Sequence, residues 1–242
     1  MKRIYTIISV SIFMCAAFSA GAQVKNYVSL YGGISNPTGN YASTDYNNNQ
    51  SGFARKGVAF QVDGAWYIKK NFAIGAQISW QDQGKLDSSR TGKLARGYVS
   101  SYSADDATVN GYGRYHSWNA LVGPQYSFTY KDFILDLRAN AGLIWVTSTP
   151  ETSIVLLGVP EQKAAFYQRN SHGMVFGYGG TAGLRYKLSD TWAFGIRAAY
   201  VASPGITVKN DGRNATEEAI GRLETKIPIS EFQTTLGFTI SF

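Results

Sequence analysis

The sequence predicts an all-β fold, an eight-stranded antiparallel transmembrane up-and-down β-barrel with short periplasmic turns and long extracellular loops. Three observations predict it. Apolar and polar residues alternate with a period of two along eight separate segments. Beyond the first residues no run of 18 apolar residues exists, which excludes a helical membrane protein. Five tryptophans, Trp66, Trp80, Trp118, Trp145 and Trp192, stand near segment ends, where a membrane barrel carries its aromatic girdles.

The chain opens with Lys2 and Arg3, an apolar stretch from Ile4 to Phe18 and the small residues Ala20-Gly21-Ala22. This order reads as a secretory signal peptide over residues 1–22, removed on export, with the mature protein beginning at Gln23. Cys15 lies inside that segment and follows the bulky Met14, so a lipid-anchored cysteine is not expected. The mature chain then lacks cysteine, and with it any disulfide framework or thiolate metal site. The remaining 220 of 242 residues suit one β-barrel domain, residues 23–242.

The period of two is clearest at the C-terminus. Phe232, Thr234, Leu236, Phe238, Ile240 and Phe242 share one face, with Gln233, Thr235, Gly237, Thr239 and Ser241 on the other. The same split runs through Trp192–Tyr200, Met174–Lys187 and Phe133–Trp145. Before them come Trp118–Phe128, Phe72–Trp80, Val58–Ile68 and Tyr27–Ile34. Each is near the length of a tilted membrane strand, roughly 9–11 residues. Tight turns at Lys69-Lys70-Asn71, Tyr130-Lys131-Asp132 and Leu188-Ser189-Asp190 alternate with polar stretches near 36–56, 83–113, 147–171 and 203–228, which read as extended loops. Barrels of this type keep short turns on the periplasmic side, so the long loops and both termini receive opposite sides of the membrane. A soluble sandwich is the alternative, but it would turn the aliphatic face inward and has no use for tryptophans at strand ends.

These residues resemble the eight-stranded OmpA-like and OmpX-like barrels, and in particular the outer membrane β-barrel domain family common in Bacteroidetes. The resemblance rests on Tyr27-Val28-Ser29-Leu30-Tyr31-Gly32-Gly33 followed by Asn36-Pro37-Thr38-Gly39, on the Ala22-Gln23 junction and on the closing Leu236-Gly237-Phe238-Thr239-Ile240-Ser241-Phe242. It covers the mature chain and implies localisation in the bacterial outer membrane. It also implies that the terminal aromatic, Phe242, is presented to the barrel-assembly machinery. The family has no single activity.

Composition narrows the function further. Without Lys2 and Arg3, 21 basic residues face 16 acidic ones, a mild excess scattered along the chain. It favours contact with anionic head groups of outer membrane lipid or lipopolysaccharide and argues against nucleic acid as a partner. Gly177-Tyr178-Gly179-Gly180-Thr181-Ala182 matches a dinucleotide-binding fingerprint, but alternation continues through Leu184 and Tyr186 where a helix would have to begin. Gly177, Gly179 and Gly183 read instead as small inward positions beside bulky neighbours. His116 and His172 adjoin Ser117 and Ser171, yet adjacent strand residues point to opposite faces, so neither pair makes a dyad. Asp105-Asp106 reads as a solvated loop pair, since no further oxygen ligands recur at a fixed spacing. Asn214-Ala215-Thr216 fits a glycosylation sequon that has no use in a bacterium.

The inward charges carry more information. Asp63, Asp136, Arg138, Arg185 and Arg197, with Gln61, Gln77, Asn119, Gln125 and Asn140, project into a lumen only wide enough for side chains. Single buried charges would cost several kcal/mol each, so a mixed ion-pair and amide network is expected there, with a hydrated lumen as the alternative. No catalytic, cofactor or metal site is expected. The function read from the sequence is a non-enzymatic barrel acting through exterior loops or its lipid-facing wall, as a surface-binding, envelope-stabilising or accessory subunit. The loop residues Tyr41, Tyr46, Tyr98, Tyr102 and Asn47-Asn48-Asn49 suit adaptable contact with a protein partner. A lipid A modifying hydrolase and a narrow channel are the alternatives.

Overall fold

The computed structural model describes residues 24–159, 165–213 and 219–242, so the signal segment and the sequon at Asn214 lie outside the described residues. Among the described residues thirteen strands and two helices form. Eight strands close a barrel: β1 (Tyr27–Pro37), β2 (Gly57–Lys69), β3 (Phe72–Gly84), β5 (Tyr115–Tyr130), β6 (Phe133–Ser148), β9 (Gly173–Lys187), β10 (Trp192–Ala202) and β13 (Ser230–Ser241). Each pairs antiparallel with its neighbours in chain order, and β1 closes on β13 through Tyr27↔Ser241 to Pro37↔Glu231. All eight segments expected from the alternation are barrel strands. Several run longer than a membrane crossing requires, 16 residues in β5 and β6, and so project beyond it.

The outer wall is apolar because the outward parity is apolar. Leu30, Phe60, Ile78, Leu143, Leu236 and Phe238 are all exposed. In water that surface would drive aggregation, whereas in lipid it is the matching solvent. At the loop end Trp80 pairs laterally with Trp118, and Trp118 with Trp145, giving a continuous aromatic row over three strands. Phe60 stacks on Trp80 at 6.1 Å and extends the row to β2. Phe133 and Tyr186 mark the other end, with centroids 5.0 Å apart. Along β6 the twelve steps from Phe133 to Trp145, at about 3.3 Å each and a tilt of about 40°, span about 30 Å, the thickness of a hydrocarbon core.

The exterior segments differ from the extended polar loops expected. Three of them knit into a second antiparallel sheet, in the order β12-β11-β8-β7-β4, from β4 (Asp106–Tyr112), β7 (Glu151–Leu157), β8 (Ala165–Gln168), β11 (Ile206–Arg213) and β12 (Ala219–Ile227). Short α1 (Gly39–Ala42) belongs to the first exterior segment, and α2 (Ser88–Tyr102) to the second. A helix was not expected anywhere, yet Leu94, Ala95, Tyr98, Val99 and Tyr102 fall on one stripe at the helical period. Asp87 caps it, its side chain accepting from the Arg90 N–H at 3.0 Å. Desolvation raises the Asp87 carboxyl, but that bond and the Arg90 and Arg55 guanidiniums outweigh it and hold the group below the usual carboxylate range. The stripe covers a small core of Ala104, Ala107, Ile154 and Leu156.

Two apolar clusters close the lumen. At the loop end Leu121, Ile144, Val146 and Val201 point inward and meet Tyr41, Ile206, Val208 and Ile227 from the exterior segments. At the turn end Val24, Tyr27, Ala65, Tyr67, Ala73 and Ile134 pack together. The polar interior is therefore a layer between two apolar ones.

Candidate functional site

In that layer every inward charge named from the sequence is at most 4% exposed. Asp63 lies between two arginines. Its Oδ2 accepts from Arg138 Nη1 at 2.7 Å and also pairs with Arg197 Nη1, while Oδ1 accepts from Arg138 Nη2 at 3.2 Å. Asp136 takes Arg185 through both oxygens, at 2.6 and 3.0 Å, and accepts from Ser127 Oγ at 2.6 Å. Gln125 joins the groups, accepting from Arg138 Nη2 at 2.6 Å and donating to Asp136 at 3.2 Å. Arg185 lies 3.8 Å over the Tyr27 ring and Arg197 4.7 Å over Tyr31, so two cations also meet aromatic faces. Room for these side chains comes from glycine: a Cβ at Gly183 would touch Arg197, one at Gly177 would press on Ile144 at 2.6 Å, and one at Gly195 would meet the Tyr31 hydroxyl at 2.9 Å. Gly179 differs from the expectation, because an added Cβ there collides with the backbone carbonyl of Tyr200 rather than with a bulky side chain.

Glu231 is the inward charge that the sequence reading missed. It is 2% exposed and accepts four hydrogen bonds, from Ser35 Oγ (2.9 Å), Gln83 (2.8 Å), Gln233 (2.8 Å) and Asn119 (3.2 Å). Neutral donors thus solvate it as water would. It shares the inward parity of Gln233 and Thr235, but β13 begins at Ser230, two residues before Phe232, the first apolar residue of the alternating run. Asp63 and Asp136 leave the three arginines one positive charge in excess. Glu231 supplies the opposite charge about 13 Å along the strand, which is four residues from the Thr235 that faces Arg197.

The second arrangement lies outside the membrane. α2, the Asn47-Asn48-Asn49 segment and strands β7, β8, β11 and β12 line a half-open cavity of about 490 Å³. Tyr46, Tyr98 and Tyr102, separated by up to 56 residues in sequence, meet Phe166 there in a wall of rings. Tyr46 and Tyr98 meet edge to face at 4.9 Å, and Tyr98 and Tyr102 stack at 6.1 Å. Burial pushes the Tyr98 hydroxyl up, helped by the neighbouring phenols of Tyr46 and Tyr102, which keeps it a neutral hydrogen-bonding group. Tyr41 does not join them: it is 4% exposed and packs edge-on against Tyr115 at 5.5 Å over the barrel mouth. The cavity is legible only in part from the sequence, since it depends on which loops pair.

The remaining candidates separate. His116 lies 3.5 Å from Asp82 and 5.8 Å from the Trp80 ring, while Ser117 points inward and donates to Gln81 at 3.0 Å. His172 is exposed. Asp105 and Asp106 are exposed at the start of β4, where Asp106 accepts from the Ala107 N–H at 2.8 Å. Among the described residues no group of three or more His, Cys, Asp or Glu could hold a metal ion.

No protein-family model and no curated protein matches the chain. Among solved structures it is similar to Neisserial surface protein A, at 10% identity and a TM-score of 0.45, over 90% of this chain and 97% of that one. It is also similar to Ail, the attachment invasion locus protein of Yersinia pestis, at 10% identity and a TM-score of 0.43, over 90% and 99%. The outer membrane protease OmpT of Escherichia coli gives 11% identity and a TM-score of 0.43 over 78% and 65%. The transmembrane barrel of outer membrane type rests on the closed strand ladder and apolar wall of this chain itself.

Proposed function

We propose that this chain is a non-enzymatic outer membrane barrel of the kind the Bacteroidetes family comprises, whose exterior cap is a surface-binding module. The observation that carries the reading is the cap: three exterior segments that could have stayed loops are spent on a five-stranded sheet and a helix lining a cavity. Ordering a loop costs backbone entropy of about 1–2 kcal/mol per residue, so an ordered cap held by its own small core points to a surface that must keep one shape. The ion-pair layer serves as a structural plug beneath it, and lipid or lipopolysaccharide surrounds the wall. Affinity purification from membranes in mild detergent, followed by mass spectrometry, tests the reading. An envelope or surface component should co-elute with the intact protein and be depleted with Tyr102→Ala. Co-elution indifferent to cap variants, or a change in lipid A mass that follows the gene, would overturn it.

Contact of Phe242 with the barrel-assembly machinery is part of the same proposal. Its ring is exposed on the lipid face, and its backbone N–H donates to Asn26 at 2.9 Å. Deleting it removes little packing, so urea stability of the refolded barrel should change by less than about 1 kcal/mol while assembled protein in the outer membrane falls and export continues. Normal outer membrane levels of the truncated chain would remove the role.

A further inference from the structure

We infer that the exterior cavity binds an uncharged oligosaccharide, an assignment that rests on the cap being the working surface. Its size falls within the range of about 300–1,000 Å³ typical of small-molecule sites. One wall is aromatic. Sugar rings carry apolar C–H faces that lie against aromatic rings, and the half-exposed Tyr102 with Phe166, centroids 5.1 Å apart, offers such a platform.

The opposite requirement of a saccharide, many hydroxyls that both donate and accept, is met by amides. Asn47, Asn49, Gln168 and Asn210 line the cavity. An amide presents a donor and an acceptor side by side, which fits neighbouring hydroxyls. The Asn triplet is also set in advance. Asn48 is used internally, donating to Asn40 at 3.2 Å and accepting from the Gln50 N–H at 3.0 Å, and the Asn47 N–H is held by Asp45 at 2.9 Å. Among the described residues the side-chain amides of Asn47 and Asn49 and the hydroxyls of Tyr46, Tyr98 and Tyr102 make no hydrogen bond, so they are free for a ligand without breaking a bond of the protein.

Charge decides against an anionic ligand. Among the described residues no lysine or arginine lines the cavity, and Glu224, the carboxylate that does, has Lys209 at 3.9 Å outside. A phosphate or sulfate would enter without a cation to receive it, next to a carboxylate.

The test uses the full mature chain refolded in detergent micelles, immobilised and probed with an array of neutral, sialylated, sulfated and phosphorylated oligosaccharides. Retained sugars are then titrated calorimetrically. Neutral oligosaccharides should be retained, with affinity unchanged between about 0.15 and about 1 M NaCl. Tyr102→Ala and the change at the exposed Asn49, Asn49→Ala, should each weaken binding at least about tenfold, and the lipid-facing Trp145→Ala should not. A difference in gel migration between unheated and heated protein checks that each variant is folded. Retention of anionic sugars alone, abolished by salt, or retention of none, would overturn the assignment. A peptide library on the same surface then separates the two readings. Peptides lost with Tyr102→Ala would leave the cap as the working surface and remove only the sugar, whereas no cap-dependent ligand of either kind would remove both.

Discussion

Replacing Asp63 by alanine is expected to destabilise the barrel more than the loss of the other lumen carboxylate of the ion-pair layer, Asp136. The carboxylate is shared by Arg138 and Arg197, both buried, so its loss leaves two guanidiniums facing each other with no anion between them. Breaking one buried pair costs about 3–5 kcal/mol, because the surviving charge stays desolvated, and like-charge repulsion is added here. Asp136→Ala strands only Arg185, which keeps the Tyr27 ring and the Tyr67 hydroxyl, so its cost should be smaller. Exposed Asp105 is the control, and its replacement by alanine should fall within about 0.5 kcal/mol of the parent. Urea unfolding of barrels refolded in lipid, at one salt concentration, gives all three. Equal midpoints for Asp63→Ala and Asp105→Ala would mean that water solvates the lumen charges separately, and the structural plug would be wrong.

Gly237→Ala is expected to abolish assembly of most of the protein. Gly237 lies on β13 opposite Tyr31 of β1, in the ladder that closes the barrel, and an added Cβ would collide with the backbone carbonyl of Leu30. A side chain can rotate away, but that carbonyl is committed to the ladder, so the strands themselves would have to part. Overpacking of an ordinary core costs about 1–3 kcal/mol, and opening a closure seam exposes further unpaired backbone groups to lipid. Gly173→Ala, where a Cβ meets nothing within 4 Å, is the matched control. The measurement is the fraction that migrates as folded barrel on unheated gels. A folded fraction for Gly237→Ala equal to that for Gly173→Ala would show that the seam tolerates the strain.

Much of this protein is legible in its sequence because the barrel's signal is local. Successive strand residues face opposite sides, so Leu236, Phe238 and Ile240 reveal the wall and Arg197 and Thr235 the interior without knowledge of any partner. The five inward charges were found in this way, as were all eight barrel strands. What the sequence by itself determined is therefore parity: which residues meet lipid, which meet the lumen, and hence the fold class. Only the tertiary structure decided pairing. Asp63 and Arg138 lie 75 residues apart and Asp136 and Arg185 49 apart, and the stagger of the closed barrel, not spacing along the chain, selects each couple. The same holds for the cap. Three of its strands are short, 4 residues in β8 and 7 in β4 and β7, too short for alternation to stand out from loop sequence, and each of these three pairs with a strand from a different loop, β4 with β7 and β8 with β11. The stripe of α2 gains its energy from covering that sheet. Without the sheet it is a 15-residue helix near the limit of independent stability, which is why the site over the barrel mouth exists only once the chain has closed beneath it.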